Sequence, residues 1–189
     1  IAPLTCIDPS RPWLEWLLAT DASLTGYGVT HCDVGSDTTE RLSDLSETRG
    51  DYVTLLEGEE CDGDFSLEAG DEPSEDDWAT VRRRRRVGNP VPLDTRGHRW
   101  IVDLAGTWRT PGEHINLLEL ETVILAVRWL GRQVKSIGKR VCFLVDNKVT
   151  VCVIAKGRSS SKVLLRALRR LTCFLGLLGI FLHVIYIPS

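Results

Sequence analysis

The chain has 189 residues, 43% of them hydrophobic, and a formal net charge of -3. That length holds one domain with a real core, or one domain carrying a large insertion, and the apolar content is ordinary for a globular protein. The small net charge argues only weakly against a nucleic-acid partner, because the charge is segregated: Asp33 to Asp77 is strongly acidic, Arg82 to Arg86 is an unbroken arginine run, and basic residues outnumber acidic ones from Arg96 onward. The asymmetry suggests a basic working body with an acidic insert.

Trp13 to Ala19 reads as a strand with a buried face, followed by Asp21-Ala22-Ser23 at its end. Ser23-Leu24-Thr25-Gly26 supplies turn chemistry, and Tyr27 to Cys32 reads as the second strand of a hairpin. Residues 33 to about 95 are rich in Asp, Glu, Ser, Gly and Thr, which is the composition of a loosely ordered insertion. A short helix fits within Thr38 to Tyr52, and Val87 to Pro92 is a linker-like turn region. Regular structure resumes with a third strand over Arg99 to Leu104, broken by Thr110-Pro111-Gly112-Glu113. Asn116 to Leu130 predicts a helix, apolar on most faces and stopped by Gly131. Arg140 to Val145 is a near-continuous apolar strand of the type buried in mid-sheet.

A short helix is expected from Asn147 to Ile154, then a loop at Gly157 to Ser161. Lys162 to Leu178 is amphipathic, with Val163, Leu164, Ala167, Leu168, Leu171 and Leu175 inward and Arg166, Arg169 and Arg170 outward. Ile180 to Ile187 is the last strand. The order predicts an α/β fold: a five-stranded mixed sheet flanked by helices, in a single domain over 1–189 with an acidic and basic insertion at 33–98 between strands 2 and 3.

The cysteines (Cys6, Cys32, Cys61, Cys142, Cys152 and Cys173) form no Cys-x-x-Cys pair, which fits reduced thiols of an intracellular, cytoplasmic or nuclear protein better than a disulfide framework or a zinc site. The apolar run Leu171 to Ile187 is broken by Gly176, Gly179 and His183, so it reads as helix, turn and strand and not as a membrane span. The chain begins at Ile1, contains no Met and stops at Ile187-Pro188-Ser189, as expected of a piece of a longer polypeptide.

Asp21, Glu119 and Asp146 are acids in apolar settings, where a carboxylate is costly unless compensated. Sites in open α/β sheets form beyond the carboxyl ends of strands, where Asp146 stands, and a parallel neighbour would put Asp21 beside it. Converging carboxylates are what hard divalent cations require. Blander readings exist: Asp21 could cap a turn, Glu119 could be a solvated helix residue with Glu121 as its competitor, and Asp146-Asn147 could cap the next helix.

Thr20-Asp21-Ala22-Ser23, Asn116-Leu117-Leu118-Glu119-Leu120 and Val145-Asp146-Asn147, in this order, resemble ribonuclease H. The likeness is nearer to the ribonuclease H domains of retroelement reverse transcriptases. Thr20 to Gly28, Gly106-Thr107-Trp108 and His114 to Leu120 look like the DIRS-type, tyrosine-recombinase group. The resemblance covers residues 13–32 and 99–189. It implies a ribonuclease H-like fold and a metal-dependent endonuclease that cuts the RNA strand of RNA–DNA hybrids. It also implies Mg²⁺ (or Mn²⁺) held by Asp21, Glu119 and Asp146, and a reverse transcriptase domain in the same polyprotein as partner. Two such ions, roughly 3.5–4 Å apart, would serve the hydrolysis.

The family's fourth Asp lies in a helix after the last strand, beyond Ser189, and the role of its mobile His does not transfer to His183 inside a strand. Lys156, Arg158, Arg166, Arg169 and Arg170 are candidates for nucleic-acid backbone contacts, while Arg82 to Arg86 reads as a solvated charge run. Two rival readings stay open. One is a catalytically inactive ribonuclease H-like binding or scaffold module; the other is a nuclease or transposase of the same superfamily acting on DNA.

Overall fold

The computed structural model describes residues 10–47, 52–55, 90–93, 97–109 and 112–188. Five strands form the main sheet: β1 (Trp13–Ala22), β2 (Gly26–Asp33), β5 (Ile101–Thr107), β6 (Arg140–Val145) and β7 (Phe181–Tyr186). Their spatial order is β5-β2-β1-β6-β7. β5, β2 and β1 form an antiparallel meander, whereas β1, β6 and β7 run parallel, so the sheet is mixed. A separate pair joins β3 (Tyr52–Leu55) to β4 (Pro90–Leu93) in parallel. The helices are α1 (Ser36–Glu47), α2 (Ile115–Leu130), α3 (Lys148–Lys156) and α4 (Lys162–Leu178).

The central strands are apolar on both faces because helices cover both. Leu17 and Leu18 are adjacent in β1 and both wholly buried, and so is every residue from Val141 to Val145. On one face, Leu18, Val29, Phe143 and Val145 pack against Leu120, Val123 and Val127 of α2 and Leu168 and Leu171 of α4. On the other, Trp13, Leu17, Cys142, Leu144 and Ile185 pack against Leu42 of α1 and Leu93 of β4.

That second face revises the reading of residues 33 to about 95 as a loosely ordered insertion: the short helix expected within Thr38 to Tyr52 is α1, and it packs on the sheet. The composition is polar, yet Thr39 and Leu42 of α1 are buried on the sheet, and the Cys142 thiol donates to the Thr39 carbonyl at 3.2 Å. The arginine run Arg82 to Arg86 lies outside the described residues.

Element limits shift in ways that matter for the site. β1 runs to Ala22, three residues past the expected end, because Thr20 pairs with Val145 and Asp21 with Gly28. Asp21 therefore sits within the strand. The hairpin turn belongs to Ser23, whose Oγ accepts from the Thr25 and Gly26 amides at 3.3 and 3.0 Å. Gly26 is required at the turn's exit, since a Cβ there would lie 2.7 Å from the Gly106 carbonyl oxygen. β5 starts two residues later and ends three later than expected. Val163, expected inward, is 49% exposed, so the buried face of α4 begins at Leu164. The other inward and outward assignments on α4 agree with the structure. Among the described residues, no helix is long and apolar enough to cross a membrane.

Candidate metal centre

Three elements each deliver one acid. β1 carries Asp21, and its parallel neighbour β6 ends at Val145, so Asp146 leaves the sheet beside it. α2 crosses the same end of the sheet and carries Glu119 in its first two turns. One ligand oxygen from each of Asp21, Glu119 and Asp146 lies within 4.8 Å of the others. Among the described residues, this is the group of His, Cys, Asp or Glu side chains with metal-holding geometry.

Glu119 is 3% exposed, which removes the solvated-helix reading. Its Oε1 accepts the Ala22 amide at 3.3 Å, while its Oε2 is buried without a hydrogen-bond partner. Burial, then the Asp146 charge, then the Asp21 charge push its carboxyl up to about 7 against the one opposing Ala22 hydrogen bond. Glu121, its competitor, faces away and pairs with Arg170. Asp146 Oδ1 is likewise buried and unpartnered. Burial first and Asp21 second hold that carboxyl above its usual range. Asp146 is not the helix cap: Asn147 caps α3, its Oδ1 accepting from the Thr150 amide at 3.0 Å. Asp21 is exposed, giving the cluster an open side.

The donor set fits a hard divalent cation. All three donors are carboxylates, two of their oxygens are buried and unpartnered, and their clustered like charges repel one another. The set of three oxygens holds neither the sulfur nor the imidazole that softer divalent ions favour.

Lys156 and Arg158 line a groove of about 760 Å³ between α3 and the start of α4, together with Lys148, Val149 and Ser159 to Ser161. Arg166, Arg169 and Arg170 are exposed on α4 but do not line that groove, and Arg170 is engaged by Glu121. Lys148 is a groove residue that the sequence reading passes over; its place directly after Asp146-Asn147, in the first turn of α3, is the signal that points to it. Trp108 is half-buried. Its indole N–H donates to the Ser23 carbonyl at 3.0 Å and its ring lies 4.7 Å from Tyr27, bracing the hairpin that carries Asp21. His183 is buried within β7.

No family model matches the chain, and no curated protein matches its sequence.

Proposed function

We propose that this chain is a ribonuclease H-like endonuclease domain that hydrolyses the RNA strand of RNA–DNA hybrids, as part of a retroelement reverse transcriptase polyprotein. The observation that supports it is the convergence of Asp21, Glu119 and Asp146 to within 4.8 Å, with buried, unpartnered oxygens on two of them. The strand order β5-β2-β1-β6-β7 is compatible with that fold.

Asp21, Glu119 and Asp146 would hold Mg²⁺ or Mn²⁺. Bound there, the metal supplies an activated water and stabilises the developing charge on the leaving oxygen. The chain's own contribution is to hold the ligands. The Ala22 amide fixes one oxygen of Glu119 and leaves the other buried without a partner, and the exposed Asp21 keeps the centre open to a phosphate. Lys148, Lys156 and Arg158 offer positive charge beside the α3–α4 groove for a nucleic-acid backbone. Recognition of an A-form-like hybrid rests on groove shape and 2′-hydroxyls, so little base specificity is expected.

The test is cleavage of an end-labelled RNA–DNA hybrid in Mg²⁺ or Mn²⁺, beside Asp146→Asn and beside an all-DNA duplex. Loss of the RNA strand alone, abolished in the variant, is the expected result. Cutting of the DNA duplex would favour a DNA nuclease of similar design. Binding of the hybrid without cutting in either metal would leave a scaffold module.

A further inference from the structure

Two asparagines beside the carboxylates are bonded to each other. Asn147 directly follows Asp146, and Asn116 lies three residues before Glu119, on the same face of α2. Asn147 uses both ends of its amide: Oδ1 accepts from the Thr150 amide at 3.0 Å, and Nδ2 donates to Asn116 Oδ1 at 3.0 Å. The cap fixes which end is oxygen, and so leaves the NH₂ for Asn116. Asn116 is itself held, because its backbone N–H donates to Nδ1 of His114, the cap of α2. A continuous chain of bonds therefore runs from the start of α2 to the start of α3, next to two of the three acids.

The pair it ties together is one that repels. Glu119 and Asp146 are like charges with buried oxygens, and electrostatics alone would spread them. The cap of α3 needs only the oxygen of Asn147, so the second bond is not required to form that helix. We propose that the Asn116–Asn147 hydrogen bond is a positioning clasp that sets the spacing of Glu119 and Asp146 for a divalent cation. This rests on the metal-binding reading above. Both asparagines are positioning residues, since neither belongs to the carboxylate cluster.

Two variants separate the clasp from folding. Asn147→Ser keeps a good N-cap oxygen but has no NH₂ to reach Asn116. Asn116→Ala removes the acceptor in the first turn of α2, where alanine favours helix. Each single variant, and the double, is titrated with Mn²⁺ by calorimetry at pH 7.5 and melted in EDTA. Both singles are expected to weaken Mn²⁺ binding by at least tenfold, the scale seen when groups that orient metal ligands are removed. The double variant should lose no more than the worse single, because one bond can be lost only once. Melting in EDTA should move little, since capping survives.

Wild-type affinity in both singles would overturn the clasp while leaving the metal centre standing. Losses that multiply in the double would also overturn it, because the two residues would then act separately. A wild-type chain that takes up no Mn²⁺ would sink the metal reading and the clasp with it.

Discussion

Without a cation, three converging carboxylates should cost the fold stability, and Glu119→Gln should recover it. Glu119 titrates near 4.5 when unfolded and at about 7 when folded. Between those values the folded chain holds a proton that the unfolded chain has released. Stability contributed by this group therefore falls as pH rises from 4.5 to about 7, then levels off. The displacement corresponds to about 3 kcal/mol at pH 8. Glutamine keeps an oxygen for the Ala22 amide and places an NH₂ among acceptor oxygens, while removing the buried charge.

In EDTA at pH 8, Glu119→Gln should thus be more stable than wild type by up to about 3 kcal/mol. For a domain of this size that is about 6–12 °C in melting temperature. At pH 4 the two proteins should melt together. Adding Mn²⁺ at pH 8 should reverse the order, because only wild type gains the stabilisation of a ligand that binds the folded state. Urea titrations at both pH values, with and without Mn²⁺, check all three statements. A variant less stable than wild type in EDTA at pH 8 would refute the reasoning. So would a gain independent of pH, since it could not come from the charge on Glu119.

His183 carries the opposite slope. Burial, and secondarily Arg140, depress it to about 4 despite Asp44, so stability is lost as pH falls from 6.5 towards 4; His183→Phe should flatten that loss by about 2–3 kcal/mol between pH 7.5 and 4.5 in urea titrations. Leu42→Ala should cost about 2–5 kcal/mol if α1 belongs to the core, whereas Leu177→Ala, at a residue 82% exposed, should fall within about 0.5 kcal/mol of wild type; chemical denaturation reads both. Gly26→Ala should cost about 1–3 kcal/mol through the clash with the Gly106 carbonyl, and a melt unchanged from wild type would contradict the β2–β5 register. Replacing Lys156 and Arg158 with alanine should weaken hybrid binding and flatten its dependence on log salt by about 0.7–0.9 for each phosphate no longer neutralised, measured by fluorescence anisotropy at several salt concentrations.

The acids were legible because each violates its surroundings. A charge at the end of Trp16-Leu17-Leu18-Ala19, or inside Leu117-Leu118-Glu119-Leu120, is an anomaly that a sequence displays without any fold. The strands and helices of the sheet were legible for the same reason inverted, since β6 and α2 are apolar with little interruption. The burial of α1 was not. Ser36-Asp37-Thr38-Thr39-Glu40-Arg41-Leu42-Ser43-Asp44-Leu45 offers only two leucines, and its burial depends on small polar residues that bond to their own helix, such as Ser43 Oγ to the Glu40 carbonyl at 2.7 Å. Composition averages such a helix into its acidic neighbours. The Asn116–Asn147 bond spans elements 31 residues apart, and no local pattern announces a pair of that kind.

The two faces of the sheet explain why the acids can gather at all. β1 and β6 are held from both sides, by α2 and α4 on one face and by α1 and Leu93 on the other. A strand pair clamped in that way keeps Asp21 and Asp146 side by side, and the Asn116–Asn147 bond ties the helix carrying Glu119 to the end of β6. The helix carrying Glu119 is fixed by Leu120, Val123 and Val127, all fully buried, immediately after the acid. Burial first, and repulsion among Asp21, Glu119 and Asp146 second, raise the carboxyls of Glu119 and Asp146. A cation of the right hardness would meet ligands already assembled, and the repulsion that the core resists in its absence becomes the source of its affinity.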